Sequence, residues 1–79
     1  MRLNVVGTPR RIARLSRHSP VVAKVLSGAL RIAQRQEELY NGEGMPLVPT
    51  DGVVNWVMPE GEIWIVADST NTVLEIMMP

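Results

Sequence analysis

The chain has 79 residues, with eight basic and eight acidic side chains, no cysteine and a formal net charge of zero. This length predicts one domain with a small core, assigned to residues 1–79, and the missing cysteines exclude disulfides and thiolate metal sites. The stretch at residues 3–6 is too short for a signal peptide, and no apolar run could span a bilayer. We therefore expect a cytoplasmic protein with no membrane partner.

The N-terminal segment predicts a short strand over residues 3–6, closed by a turn at residues 7–9. Residues 10–17 place Ile12 and Leu15 three positions apart. That spacing predicts one or two helical turns, with an ordered loop as the alternative.

A long helix is predicted over residues 20–40. Ser19 is a suitable N-cap, Pro20 fits the first helical position, and Asn41-Gly42 provides a stop. At 100° per residue the apolar side chains cover an arc of roughly 180°, opposite a polar stripe. Gly28 lies mid-helix on the polar side, and we attribute it to drift rather than to a close backbone approach.

Three strands are predicted over residues 53–58, 62–67 and 72–77, and their short connections indicate an antiparallel meander. Leu47 and Val48, between two prolines, form at most a short edge strand. The predicted fold class is α+β, with one long helix packed on a small three- to four-stranded antiparallel sheet in the order β-α-β-β-β. The first strand is expected at an edge.

Strand alternation leaves neither face of this sheet clearly polar. It separates Trp56 from Val57, Trp64 from Ile65 and Leu74 from Glu75. A single helix covers only one face, so the other is expected to expose apolar residues. Such a face is typical of an interaction surface.

Charge is fully segregated along the sequence. All eight bases lie between Arg2 and Arg35, and all eight acids lie between Glu37 and Glu75. The pattern predicts one cationic and one anionic surface if the halves fold apart. If they fold together, the segregation is an intramolecular feature with no information about partners.

The basic half contains a candidate anion-binding surface. Three arginines at i, i+4 and i+7 would share one helical face with a fourth beside them, and three further bases would form a second stripe: Arg10, Arg14 and Arg17 with Arg11, then Lys24, Arg31 and Arg35. Guanidinium groups suit phosphate or carboxylate recognition, so nucleic acid or an acidic protein is a candidate partner. The alternative is a solvated face neutralised from within, and no aromatic side chain interleaves the cluster.

The acidic half contains a second candidate surface of apolar and acidic character. Its residues are Trp56, Trp64, Glu60, Glu62 and Glu75. Mimicry of nucleic-acid phosphates is one interpretation, and ordinary solubility chemistry in a turn is the stronger one.

No catalytic, cofactor or metal site is predicted. His18 lies near Ser16 and Ser19, but no glycine elbow or positioned acid supports a nucleophile, and one histidine cannot hold a metal. We therefore expect a non-enzymatic interaction module, an inhibitor or adaptor on a larger cytoplasmic complex. Small phage or mobile-element antagonists of the anti-CRISPR type share this profile. The alternatives are a nucleic-acid-binding protein and a self-assembling structural subunit, with a homodimer also compatible.

Overall fold

The computed structural model describes residues 1–78, so the predicted domain of residues 1–79 extends one residue beyond the described part. Eight strands account for most of the chain. They are β1 (Arg2–Val5), β2 (Arg10–Leu15), β3 (Ser19–Ser27), β4 (Leu30–Ala33), β5 (Met45–Leu47), β6 (Val54–Met58), β7 (Gly61–Ala67) and β8 (Thr72–Met77). One α-helix, α1 (Gln36–Tyr40), and one 3-10 helix (Pro49–Asp51) lie on either side of β5.

The strands form two four-stranded antiparallel sheets. Sheet I has the order β1-β8-β3-β6, and sheet II has the order β2-β7-β4-β5. Every connection except that between β4 and β5 carries the chain from one sheet to the other, so the two strand orders run in step. Edge β1 of sheet I is therefore stacked over edge β2 of sheet II, and edge β6 over edge β5, with which it lines one groove. The edges β1 and β2 therefore share one side of the molecule, and β5 and β6 share the opposite side.

The main core fills the space between the sheets. Buried side chains from both sheets meet there: Val5, Leu15, Val21, Ala23, Val25, Leu30, Ile32, Leu47, Ile63, Ile65, Leu74 and Ile76. A smaller cluster of Ala33, Leu39 and Val66, with Trp64 against it, lies on the outer face of sheet II under α1. The fold is thus stabilised by apolar burial between two sheets rather than by a helix on a sheet.

The predicted α+β fold is wrong, because residues 20–40 do not form a long helix. They form β3, β4 and the five-residue α1. In β3 the buried residues Val21, Ala23 and Val25 alternate with less buried neighbours, which is the period of a strand. β-Branched side chains favour this conformation. Only the stop at Asn41-Gly42 is confirmed, since α1 ends at Tyr40.

Gly28 is required by a close backbone approach, so its attribution to drift is also wrong. Its φ is +80°, in the left-handed region that favours glycine. A Cβ there would meet Thr72 Oγ1 and lie 2.7 Å from Thr72 Cα. This contact lies where the chain passes from β3 in sheet I to β4 in sheet II.

The predicted C-terminal strands are confirmed in position but not in pairing. Residues 72–77 match β8, and the other two strands differ from β6 and β7 by one residue at their starts. The meander is wrong, because β6 and β8 belong to sheet I while β7 belongs to sheet II. The edge position of β1 is confirmed, and residues 10–17 contain the strand β2 instead of helical turns.

Candidate functional site

Every ladder in the two sheets joins the basic half of the sequence to the acidic half. The six pairings are β1 with β8, β2 with β7, β3 with β6 and β8, and β4 with β5 and β7. The strands of residues 2–33 therefore alternate with those of residues 45–77 across both sheets. Because like charges on facing positions destabilise a sheet, segregation along the sequence becomes complementarity between neighbouring strands.

Three side-chain ion pairs connect the two halves. Arg2 Nε lies 3.2 Å from Glu75 Oε2, and Arg11 Nη1 lies 2.8 Å from Glu62 Oε2. Arg31 Nε donates to both carboxylate oxygens of Asp68, at 3.0 and 2.9 Å. These pairs neutralise three of the eight bases within the chain, which is the second of the two alternatives that the sequence left open, while the other five bases form no ion pair within residues 1–78.

Glu62 lies at the centre of a polar cluster on the outer face of sheet II. Its carboxylate accepts hydrogen bonds from Arg11 and from the indole Nε1 of Trp64, the latter at 3.1 Å. Both bonds lower the pKa of Glu62, and the positive charges of Arg11 and Arg14 act in the same direction. An aromatic side chain does adjoin the arginines, but its N–H is already engaged by this carboxylate.

The helical geometry predicted for the basic side chains is wrong, although Arg11 and Arg14 both lie near Glu62, and partner binding by these bases stays a prediction. Arg10, Arg11 and Arg14 lie on the edge strand β2, where a register shift separates Arg11 from Ala13, so the helical face does not exist. Arg17 lies in the turn between β2 and β3. The second stripe is also wrong, because Lys24 belongs to sheet I, whereas the other two bases lie in or after β4 of sheet II: Arg31 and Arg35.

The predicted apolar and acidic surface is divided in the same way. Trp56 lies on β6 and packs against the main core, whereas Trp64 lies on the opposite side of sheet II beside α1. Glu60 occupies the turn between β6 and β7, and Glu75 lies on β8 between Arg2 and Lys24 in register. Trp64 and Glu62 are joined by a hydrogen bond, whereas the other three side chains of this predicted surface lie elsewhere.

The edges of the two sheets differ in how far they are protected from another strand. β1 has four residues and carries Arg2, and β2 carries three arginines and an irregular register. β5 has three residues, with Pro46 at its centre. Charges, prolines, bulges and short length are the usual devices against edge pairing. β6, with the sequence VNWVM, has none of them.

The register of β6 on β3 indicates which main-chain groups face outward. Pro20, which has no N–H, pairs with Val57. Val57 is therefore in a non-hydrogen-bonded pair. The alternation of an antiparallel ladder then directs the main-chain N–H and C=O groups of Val54, Trp56 and Met58 towards β3, and those of Asn55 and Val57 towards the free edge. Sequence reasoning missed this edge, although the absence of charge and proline over residues 54–58 was a visible signal.

Apolar side chains surround this edge on two sides. On the outer face of sheet I, Val57 is 71% exposed and Met77 is 62% exposed. Val22 pairs with Met77 and lies between β6 and β8 in sheet I. At the opening between the sheets lies an apolar groove of about 280 Å³, lined by Ile32, Met45, Trp56, Met58 and their neighbours. Both surfaces could receive the side chains of an added strand.

Comparisons with protein-family models, curated proteins and solved structures give no match. The interpretation as a mobile-element antagonist of the anti-CRISPR type is therefore without support, and the description as a small α+β domain is wrong. Within residues 1–78, no helix has the length and apolar character required to cross a membrane.

Proposed function

We infer that the chain is a non-catalytic protein-interaction module that takes up an extended segment of a partner along β6. The carrying observation is that β6 alone among the four sheet edges lacks charge, proline, register shift and extreme shortness. Adding a strand would satisfy outward main-chain groups of Asn55 and Val57, while side chains on its two faces determine specificity.

Two further observations support a partner strand over a small ligand or a nucleic acid. The groove between β5 and β6 is continuous with the free edge through Trp56 and Met58, so one segment could contact both. The outer apolar residues Val57 and Met77 add contact area without any basic side chain between them. The lack of cysteine is compatible with a cytoplasmic partner.

The proposal is tested by selecting random peptides on the immobilised protein and measuring the affinity of the recovered sequences. The variants Asn55→Lys and Asn4→Lys form a matched pair, since both asparagines are exposed on the edge strands of sheet I. Asn55→Lys should weaken binding roughly tenfold or more, about 1.4 kcal/mol, whereas Asn4→Lys should leave it unchanged.

Chemical-shift mapping then locates the recovered peptide. Binding that shifts and protects the amides of Asn55 and Val57 supports strand addition. Equal affinity for both variants, or peptides that bind only the outer face of sheet II, would contradict the proposed use of β6.

A further inference from the structure

The charges that remain after internal pairing are distributed unequally between the two sides of the molecule. Within residues 1–78, ten side chains have no ion pair: Arg10, Arg14, Arg17, Lys24, Arg35, Glu37, Glu38, Glu43, Asp51 and Glu60. Two of these bases lie on the β2 edge. Three of the acids flank the opposite edges: Glu43 precedes β5, Asp51 precedes β6 and Glu60 follows β6.

The strand directions allow the β6 and β5 edges of one copy to pair with the β1 and β2 edges of a second copy. Neighbours are antiparallel throughout sheet I, so β6 runs opposite to β1. A second copy placed beside the first in the same orientation would therefore present its β1 to β6 as an antiparallel neighbour. The same displacement presents β2 of the second copy to β5, which also runs in the opposite direction.

The alternation of basic and acidic strands selects this arrangement over a symmetric dimer. A β6–β6 contact would place two acid-flanked strands side by side. In a register centred on Trp56, Glu60 of one copy would approach Asp51 of the other. A β6–β1 contact continues the pattern of both sheets and brings these acids towards Arg2 and Arg10 instead. The arginines that protect β1 and β2 against an unrelated strand would therefore be neutralised by the acids that flank β6 and β5.

We propose that the occupant of the β6 edge is a second copy of this chain, docked through its β1 edge, so that the protein assembles head to tail. This inference rests on the proposed function, because it uses the same open edge. The contact is heterologous and leaves one β6 and one β1 free, so it propagates into open chains unless the rotation between copies closes a ring. Its electrostatic component is exposed and therefore screened by salt.

Light scattering on the full chain tests the assembly at roughly 50 mM and 500 mM salt. The mass should exceed the 8.8 kDa of one chain at low salt. The concentration for half-assembly should rise roughly tenfold at high salt, since charge complementarity is screened. A monomer at low salt and high concentration would overturn the inference, while peptide binding at β6 could still succeed.

Two edge variants make the test independent of unfolding. Asn55→Lys adds a base to β6, which would face the basic β1, and Asn4→Glu adds an acid to β1, which would face the acid-flanked β6, so each alone should remain monomeric. An equal mixture retains one open β6 and one open β1, and it should stop at twice the mass of one chain. Recovery of this dimer from two monomeric variants would show that both still fold.

Glu60→Lys distinguishes the two modes of self-pairing by the sign of its effect. It should weaken head-to-tail assembly, because it places a base against the basic β1 and β2 side. In a β6–β6 dimer it would instead approach Asp51 of the other copy and strengthen the contact. Stronger association of Glu60→Lys, together with normal association of Asn4→Glu, would overturn the head-to-tail arrangement.

Discussion

Gly28 lies so close to Thr72, at the crossing between the sheets, that there is no room for a Cβ. The buried Thr72 hydroxyl lies within hydrogen-bond distance of Ala29 N, Ala29 O and Ser69 O. A side chain at position 28 would displace this hydroxyl as well as strain a backbone with φ of +80°. A substitution at Gly28 is therefore opposed both by the clash with Thr72 and by the strain of a positive φ.

Gly28→Ala should lower the free energy of unfolding by about 3 kcal/mol, from positive-φ strain plus overpacking. Gly42→Ala is the matched control, because its φ is +78° and nothing lies within 4 Å of the added Cβ. Gly42→Ala should lower the free energy of unfolding by only about 1 kcal/mol, from backbone strain alone. Urea denaturation measures the free energy of unfolding of both variants. Equal decreases would show that the contact with Thr72 does not contribute to the cost of Gly28→Ala.

Glu62 should titrate below the ordinary pKa of a glutamate, because its charged form accepts bonds from Arg11 and Trp64. A lowered folded-state pKa gives stability that is present above the unfolded value and lost as pH falls through the folded value. Carboxyl resonances followed by NMR measure the pKa directly. Arg11→Ala should raise it more than Arg14→Ala, and the reverse order would contradict the assigned cause.

Among the elements, α1 is held to the sheets mainly by Arg31 and Leu39. The Arg31 side chain is only 19% exposed, pairs with Asp68 and donates to the carbonyl oxygens of Leu39 and Glu43, at 3.2 and 3.0 Å. One guanidinium thus ties β4, the end of β7 and the C-terminal end of α1 together. A helix of five residues has little stability of its own.

Arg31→Lys keeps the charge but removes the planar fork, so it should lower the free energy of unfolding by about 2 kcal/mol. Amide exchange within α1 should accelerate more than exchange within β7. Arg35→Lys serves as the control, since Arg35 is exposed and should change stability by less than about 0.5 kcal/mol. Unchanged exchange in α1 of the Arg31 variant would contradict this role.

Whether a segment forms a helix or a strand was predictable from sequence only where apolar residues clearly alternate with more polar ones. Residues 72–77 alternate buried Leu74 and Ile76 with more exposed neighbours, and this strand was located to the residue. Residues 19–33 contain a helix cap signal at Ser19-Pro20 that is misleading. In the fold, Ser19 is buried and donates to the carbonyl oxygen of Arg17 at the start of β3. An apolar arc as wide as 180° was a weak helical signal that alternation in β3 outweighs.

At the scale of the whole molecule, the charge pattern was visible in sequence but its meaning was not. Every ladder connects distant segments, from Ile32 and Met45 at the nearest to Arg2 and Glu75 at the farthest in β1 and β8. The consecutive strands β4 and β5 do pair, but the connection between them contains α1, so no tight turn in the sequence marks a hairpin. The uncharged stretch of residues 54–58 could be seen, whereas its position at a sheet edge depends on this non-local topology.

The ladders predict that the two halves of the chain fold only by pairing with each other. This prediction is tested by preparing residues 1–41 and 42–79 as separate chains, divided in the exposed turn after α1. Far-ultraviolet circular dichroism and amide NMR spectra should show each fragment unfolded alone, because neither contains a complete ladder. An equimolar mixture should recover the spectrum of the intact chain. A folded sheet in either isolated fragment would contradict this mutual dependence of the two halves.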